Sequence, residues 1–267
     1  MKDLDEAKAD PRCAELAEIL AAARRDARQV LSLRPDLVPR DHDQGYAVNR
    51  MVVERLGWEP LGWKIAATSA AVREKLKIDR PIYGRTYRRF AIAAPARLIH
   101  RELLDPLVEC EFFVTLGHDL PPREVAWTEA EVLSAVSEVH AGIEVAECRF
   151  PKNSLPPLYA IFADGCASGR YVYGDPIHDW RDGLSGMGVD LEIDGKPIRR
   201  GAGSDVMGNP LAPLVWLAEE LRRWGEGLRV DEMISTGSTT GMLPVRAGQH
   251  VRALFGQRAS VEIEFAA

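Results

Sequence analysis

Residues 107–116 read Leu-Val-Glu-Cys-Glu-Phe-Phe-Val-Thr-Leu, a strand-favouring apolar run that contains two acidic side chains. Because successive side chains of a β-strand point to opposite faces, Glu109 and Glu111 project to the same side, with their Cα atoms roughly 7 Å apart. Burying two like charges side by side is costly unless a shared proton, a basic partner or a cation compensates. The stretch therefore predicts either a divalent metal site on a buried strand or an edge strand with a solvated charged face.

A second apolar run, residues 139–148, also contains an acid, Glu144. Glu147 falls on the opposite face of a regular strand, so we expect it to lie outside the site. Three glutamates offer the hard oxygen ligands that suit Mg²⁺ or Mn²⁺, and the remaining octahedral positions are left to water or substrate. The candidate metal ligands are therefore Glu109, Glu111 and Glu144.

Composition restricts the class of protein. A chain of 267 residues, 46% hydrophobic and 28% charged, is long enough for one large domain or for a domain with a helical appendage. The net charge of −6 provides no field that would attract a polyanion, so we expect no nucleic-acid partner. No stretch approaches the roughly 20 apolar residues of a membrane span, and the first residues lack the apolar core of a signal peptide. We expect a cytoplasmic protein without a membrane partner.

The chain divides by pattern into a helical region, residues 1–60, and a β-rich catalytic domain, residues 61–267. Apolar residues recur at three- and four-residue steps over residues 16–31, which predicts one helix. A second helix is predicted to begin near residue 41 or 43 and to end at Gly57, a residue that favours the left-handed conformation of a helix end. Both helices are interpreted as packing elements.

Lys64 is the only charge in the apolar strand of residues 61–67. Such a lysine either extends along the apolar surface to solvent or points inward toward an anion. In the second case burial would lower the pKa of Lys64 and make the amine an acid or base near neutral pH. Asp79, in the loop predicted over residues 77–84, is most simply a turn residue on the sequence alone.

Local signals predict several scaffold elements. Thr128 and Glu131 fit a capping box that opens a helix extending to about Glu138. Residues 189–198 contain an Asp-Gly turn between alternating strands, which predicts a hairpin. Asn209 is predicted to cap the next helix.

The hydroxyl-rich loop of residues 234–241 contains two glycines. It is compatible with backbone N–H groups that converge on an anion and equally with a polar hairpin loop.

Seven motifs follow one another along the chain: Gly62-Trp63-Lys64-Ile65, Asp79-Arg80-Pro81-Ile82-Tyr83-Gly84, Glu109-Cys110-Glu111, Ile143-Glu144-Val145, Ala163-Asp164-Gly165-Cys166-Ala167-Ser168-Gly169, Gly208-Asn209-Pro210-Leu211 and Thr236-Gly237-Ser238-Thr239-Thr240-Gly241. In this order they resemble the 2-hydroxypentadienoate (2-keto-4-pentenoate) hydratase and 4-oxalocrotonate decarboxylase group of the fumarylacetoacetate hydrolase superfamily. The resemblance runs from about residue 10 to the end.

The resemblance implies an α+β fold, a mixed β-rich roll preceded by an N-terminal helical region. It implies that Glu109, Glu111 and Glu144 hold Mg²⁺ or Mn²⁺ and that Lys64 and Asp79 lie near the reacting carbons. It further implies a homo-oligomer, often a pentamer or decamer in this group, and a decarboxylase or hydratase partner enzyme.

The function implied is a metal-dependent hydratase of aromatic catabolism. It would add water to a 2-hydroxy-2,4-dienoate (2-oxo-4-enoate) and release a 4-hydroxy-2-oxo acid. Lys64 and Asp79 are the candidate acid and base, and Ser168 is a candidate catalytic hydroxyl. The candidate substrate-binding residues are Asp164, Thr236 and Ser238.

Two alternatives stay open, a 4-oxalocrotonate-type decarboxylase and a non-catalytic subunit of a hydratase–decarboxylase complex. A carbon–carbon bond hydrolase is disfavoured, because the chain has no histidine between Gly57 and Ile99 to activate water.

The chain also departs from the group's pattern. Residues 165–168 read Gly-Cys-Ala-Ser where relatives commonly carry one or two serines, and residues 85–90 are unusually basic and aromatic. The second feature indicates either a substrate with a second anionic or bulky end or a solvated surface turn.

Overall fold

The computed structural model describes residues 2–267, with side chains from residue 4 onward. The fold is α+β, as predicted. The α-helices of this part of the chain are α1 (Lys2–Ala9), α2 (Pro11–Arg25), α3 (His42–Leu56), α4 (Ala70–Leu76), α5 (Glu129–Ser134), α6 (Leu158–Ala163) and α7 (Ala212–Arg223). The strands are β1 (Pro60–Ala66), β2 (Ile82–Tyr87), β3 (Ala91–Ala93), β4 (Ala96–Ile99), β5 (Leu107–Leu116), β6 (Val136–Ala146), β7 (Arg170–Pro176), β8 (Gly188–Ile193), β9 (Lys196–Ala202), β10 (Met233–Ser235), β11 (Leu243–Pro244), β12 (His250–Phe255) and β13 (Ala259–Ala266).

The N-terminal helices start and end largely where the sequence predicts. Asp41 caps α3 by accepting a hydrogen bond from the backbone N–H of Gln44, and Gly57 ends that helix in the left-handed conformation. Helix α2 stops at Arg25, short of the predicted helix over residues 16–31. The reason is a left-handed residue, Ala27, after which the chain turns away. The division at residue 60 stays a prediction.

Two sheets form the body of the molecule. The larger has the strand order β2-β1-β10-β5-β6-β7-β3, with β11 paired to β5, and the smaller has the order β4-β13-β12-β8-β9. Cys110, Phe112 and Val114 on one face of β5 are fully buried in the main core. The ring of Phe112 lies 5.1 Å from that of Phe255 on β12, so this core joins the two sheets. The other face of β5 carries the two acids, followed along the strand by the fully buried Phe113.

The larger sheet rolls up on itself. Lys64 on β1 and Glu144 on β6 are separated by two intervening strands, which in a flat sheet would place them about 14 Å apart. Their charged atoms are instead 3.1 Å apart. The inward face of the sheet therefore encloses a small interior in which side chains from distant strands meet.

The loop before β7 closes the gap between the two sides of this roll. Cys166 donates a hydrogen bond to the backbone oxygen of Tyr83, and the Ser168 hydroxyl donates to that of Arg85. The approach requires a glycine at position 84, because a Cβ there would lie 2.2 Å from the backbone oxygen of Gly165. Sequence-distant segments thus seal the interior.

Some predicted boundaries are corrected and others confirmed. Helix α5 ends at Ser134 rather than near Glu138, because β6 begins two residues later. The prediction that Asn209 caps the next helix is wrong, because α7 begins at Ala212 with Leu211 at the cap position and no side-chain cap. The side chain of Asn209 instead accepts a hydrogen bond from the backbone N–H of Leu211 in the turn before the helix. The hairpin of β8 and β9 is confirmed. None of the described helices is both long enough and apolar enough to cross a membrane.

Candidate metal centre

Three glutamates meet inside the rolled sheet. Glu109 on β5 lies opposite Glu144 on β6 in the antiparallel register, and Glu111 follows two residues along the same face. One carboxylate oxygen from each lies within 4.8 Å of the other two. The exposed fractions of Glu109, Glu111 and Glu144 are 5%, 1% and 0%. The structure thus brings together the three predicted metal ligands and excludes the solvated edge strand.

Burial makes these carboxylates costly to ionise without a counter-charge. Burial, reinforced by the charge of Glu144, raises the pKa of Glu109 to about 7, and Lys64 opposes this shift. Burial also raises the pKa of Glu111 well above its ordinary value, and both neighbouring glutamates add to the effect. A divalent cation is the kind of partner that would stabilise all three charges together.

In two of these glutamates, Glu144 and Glu111, one of the two carboxylate oxygens interacts with hydrogen-bond donors. Oε1 of Glu144 lies 3.1 Å from the Lys64 ammonium and accepts a hydrogen bond of 3.2 Å from the Tyr171 hydroxyl. Oε2 of Glu111 accepts from the Ser235 hydroxyl and from the backbone N–H of Gly237.

The remaining oxygen of Glu144, Oε2, is buried and has no hydrogen-bond partner. A buried carboxylate oxygen without a partner is unfavourable unless it binds a ligand such as a metal ion. Hard oxygen ligands close together suit Mg²⁺. The residues present therefore fit the predicted cation.

Lys64 points inward, with an exposed fraction of 2%. Burial by itself lowers the pKa of Lys64, but the attraction of Glu144, Glu109 and Glu111 outweighs it and raises the pKa above the ordinary value. The prediction of a lowered pKa is thus wrong for the protein alone, because it considered desolvation and left out the carboxylates. The side chain carries a proton at neutral pH.

Similar proteins identify the family. No family model matches the chain. The sequence is 31% identical over 255 residues to the 2-keto-4-pentenoate hydratase of Paraburkholderia xenovorans strain LB400, and the match covers 94% of either chain. The chain belongs to the 2-keto-4-pentenoate hydratase family. It is also 28% identical to the 4-oxalocrotonate decarboxylase of Pseudomonas sp. strain CF600, with 90% of each chain covered.

Solved structures agree with this family assignment. A 4-oxalocrotonate decarboxylase from Pseudomonas putida G7, complexed with magnesium and adipate, has a TM-score of 0.87 and 25% identity, covering 96% of this chain and 97% of that one. A fumarylpyruvate hydrolase from Pseudomonas aeruginosa, in complex with Mn²⁺ and pyruvate, has a TM-score of 0.58 and 14% identity, covering 78% of this chain and 90% of that one. The second likeness shows a shared fold alone. The predicted fumarylacetoacetate hydrolase type of fold is confirmed.

In this hydratase-family chain Ser168 lies close to the glutamates without touching them. Its hydroxyl is buried 2.9 Å from the hydroxyl of Tyr171, which in turn binds Glu144. The two residues before it, Cys166 and Ala167, adopt left-handed conformations that turn the loop back toward the sheet. Ser168 therefore reaches the centre through Tyr171.

Asp164 is not brought to the glutamates. Its Oδ1 lies 3.0 Å from Nε of Arg149 and 3.3 Å from Nε of Arg24, and the side chain is fully buried. Arg24 belongs to helix α2, so Asp164 ties the N-terminal helices to the loop before β7. The observed contacts are those of a structural ion cluster.

The predicted substrate-binding hydroxyls of the 236–241 loop form bonds within the protein. Thr236 donates to the backbone oxygen of Phe112, and Ser238 accepts from the backbone N–H of Gly241. The loop amide at Gly237 does bind an anion, but this anion is the carboxylate of Glu111. The loop thereby fixes a candidate metal ligand.

Asp79 lies on the surface in the structure. Its side chain is 77% exposed and pairs with Arg80 at 3.1 Å. Helix α4, just before it in the chain, has no buried residue. The structure therefore does not bring Asp79 to Lys64.

Sequence reasoning missed two residues that hold the centre, Tyr171 and Ser235. Ser235 lies within the hydroxyl-rich run of residues 234–241, so that run was a usable signal for it. Tyr171 lies opposite Glu144 in the pairing of β6 with β7. That register involves residues 27 positions apart in the chain, and no local pattern reveals it.

Proposed function

We propose that this chain is a Mg²⁺-dependent hydratase that adds water to a 2-hydroxy-2,4-dienoate (2-oxo-4-enoate) and releases a 4-hydroxy-2-oxo acid in the catabolism of aromatic compounds. The observation that carries the proposal is the buried group of three glutamates with the Lys64 ammonium in contact. The relative at 31% identity, a 2-keto-4-pentenoate hydratase, supports the choice of substrate class.

Glu109, Glu111 and Glu144 would hold the cation. When bound, Mg²⁺ supplies Lewis-acid stabilisation of the negative charge that develops on the C2 oxygen of a 2-oxo acid. The magnesium complex of the P. putida G7 decarboxylase supports Mg²⁺, and Mn²⁺ stays a prediction.

Lys64 supplies the proton in this proposal. Its ammonium delivers a proton to C5 of the dienol while the C2 hydroxyl releases its proton to solvent, which leaves an unsaturated 2-oxo acid. The resulting amine then accepts a proton from the water whose oxygen bonds to C4, and a proton taken from solvent at C3 completes the hydration. A cation bound among the same carboxylates would offset part of their attraction for the ammonium. The pKa of Lys64 would then fall toward the range in which the amine can both donate and accept a proton.

Asp79 is the second predicted acid–base group, and its surface position means that it acts only if its segment moves. Helix α4, which lacks buried residues, is the kind of weakly packed element that opens and closes at low cost. Thr68, just before it, packs closely against Gly237 of the loop that holds Glu111. Movement of the segment would therefore also shift the loop that holds Glu111.

A decarboxylase is the second candidate function. The P. putida G7 decarboxylase covers 96% of this chain at a TM-score of 0.87, which favours this alternative specifically. Loss of carbon dioxide from a 2-oxo acid of the 4-oxalocrotonate type leaves an enolate, and the same cation and ammonium would stabilise it. A non-catalytic subunit is disfavoured, because such a subunit has no need of a buried carboxylate group with a lysine.

We further propose that the chain acts in the cytoplasm as a homo-oligomer, a pentamer or decamer, with a decarboxylase or hydratase as its partner enzyme. This part of the proposal rests on the resemblance of the motifs. Light scattering coupled to size-exclusion chromatography measures the oligomer number, and a monomer would contradict it.

The deciding experiment offers the purified protein both substrates. Freshly generated 2-hydroxypenta-2,4-dienoate and 4-oxalocrotonate are each incubated with Mg²⁺ or with a chelator, while conjugated absorbance, carbon dioxide and the 4-hydroxy-2-oxo product are followed. Lys64→Met is the test variant and Lys196→Met, an exposed lysine on β9, is the matched control. Hydration of the dienoate without gas release supports the hydratase, and carbon dioxide from 4-oxalocrotonate supports the decarboxylase. Consumption of neither substrate refutes both.

A further inference from the structure

The two carboxylate oxygens of Glu144 differ in their hydrogen-bond partners. Oε1 receives the Lys64 ammonium and the Tyr171 hydroxyl, whereas Oε2 is buried without a partner. Glu111 is held in a similar way, since its Oε2 receives Ser235 and Gly237. In each case the donors occupy one oxygen and leave the other for a ligand.

From this asymmetry we propose that Tyr171 is a positioning residue that presents Glu144 to the cation through Oε2 alone and thereby favours Mg²⁺ over the larger Ca²⁺. The inference rests on the metal site of the proposed function and adds to it a cause for metal selectivity. Tyr171 touches neither substrate nor cation in this scheme and acts through Glu144.

The phenol of Tyr171 is fixed on several sides. Its residue lies directly opposite Glu144 in the strand register, and its exposed fraction is 1%. The ring packs 6.0 Å from that of Phe113, and the hydroxyl lies 2.9 Å from the Ser168 hydroxyl. With the ring and the hydroxyl both held, the donor cannot follow Glu144 if the carboxylate rotates.

The selectivity follows from the coordination chemistry of the two ions. Mg²⁺ demands near-octahedral geometry at about 2.0–2.1 Å and takes carboxylates through single oxygens, whereas Ca²⁺ accepts about 6–8 ligands and often binds both oxygens of one carboxylate. A carboxylate in which two donors occupy one oxygen has a single oxygen left for the ion, which suits Mg²⁺. Removing one donor frees Oε1 to swing toward the ion, which suits Ca²⁺.

The test compares Tyr171→Phe with the wild type in metal-free full-length protein, without substrate. Dissociation constants for Mg²⁺ and for Ca²⁺ are measured separately by isothermal titration calorimetry. We expect Tyr171→Phe to weaken Mg²⁺ binding on the order of tenfold, as is typical when a group that orients a ligand is lost. Ca²⁺ binding should weaken less, so the Mg²⁺/Ca²⁺ affinity ratio falls.

Two further variants keep the test decisive. Tyr173→Phe changes a tyrosine two residues along the same strand face, beside His140, and should leave both affinities unchanged. Ser168→Ala removes the hydroxyl that lies against Tyr171 and should reduce the affinity ratio by a smaller factor in the same direction. If circular dichroism shows that Tyr171→Phe does not fold, Ser168→Ala carries the comparison.

The outcomes separate this inference from the proposed function. Unchanged affinities, or an equal loss for both ions, would overturn the selectivity role of Tyr171 and leave the metal-dependent reaction standing. A wild-type protein that binds neither ion would overturn the proposed metal centre, and the inference with it.

Discussion

Replacing Asp164 by asparagine removes the negative charge that two buried arginines share. Nε of Arg149 lies 3.0 Å and Nε of Arg24 lies 3.3 Å from Oδ1 of Asp164, and the arginine side chains are only 6% and 3% exposed. Asparagine keeps the shape of the side chain but not its charge. Both guanidinium groups would then remain in the interior without their shared counter-charge.

The cost follows from the burial of this cluster. Removing one partner of a buried ion pair destabilises a protein by about 3–5 kcal/mol, because an uncompensated charge is left inside. Both arginines also donate to the backbone oxygen of Ser168, and asparagine preserves those bonds, so we expect the lower value. A loss of about 3 kcal/mol corresponds to a decrease in Tm of about 6–12 °C for a domain of this size.

Thermal unfolding followed by circular dichroism measures this loss, with Asp190→Asn as the matched control. Asp190 pairs with Arg200 at the surface, where the arginine is well exposed and the aspartate partly exposed, so its replacement should change the free energy of unfolding by less than about 1 kcal/mol. An unchanged Tm for Asp164→Asn together with a raised KM would refute the structural role. That result would return Asp164 to the substrate-binding role that the motif resemblance predicted.

Four other predictions concern the proposed reaction and the metal centre. Lys64→Met should lower kcat by about 10²–10⁴-fold in the hydration assay, because it removes the proposed proton donor, and retained turnover would exclude that role. Asp79→Asn should lower kcat without changing Tm, since the side chain is exposed, and an unaltered kcat would remove Asp79 from the mechanism. The pKa of Glu109 is raised from 4.5 to about 7, so the metal-free protein should lose stability as pH rises from about 4.5 to about 7, where this carboxyl is ionised in the unfolded chain but still protonated in the folded one. Mg²⁺ affinity should rise as pH approaches about 7 because the cation needs the carboxylate, and calorimetric titrations that give equal affinities at about pH 6 and about pH 8 would contradict this.

The candidate metal ligands could be predicted from strand geometry alone. Alternation along β5 places Glu109 and Glu111 on one face whatever the rest of the chain does. Strand geometry alone could not predict that Glu144 joins them, since its position opposite Glu109 depends on the antiparallel register of β5 with β6. A shift of one residue in that register would turn Glu144 away, and the segment between the strands contains a helix whose length the sequence overestimated.

The ion pairs of Asp164 and the pKa shift of Lys64 could not be predicted, because they depend on charges far away in the sequence. Arg24 lies 140 residues before Asp164, and nothing in the motif around Asp164 signals that arginine. For Lys64 the strand pattern correctly left open an inward orientation toward an anion. The direction of its pKa shift then depended on how many carboxylates lie near the Lys64 amine. That number is set by the way the larger sheet rolls up, which the sequence pattern does not reveal.

The N-terminal helices are connected to the centre by a continuous series of contacts. Arg24 on α2 binds Asp164 and the backbone of Ser168, and the Ser168 hydroxyl lies against Tyr171, which binds Glu144. Each contact is buried, so each retains a strength that a solvated bond would lose. A helical region that served only as a cover would need apolar packing alone, whereas this one also places charge against the loop that supports a candidate metal ligand. We therefore expect the residues before β1 to be required for the geometry of the centre as well as for stability.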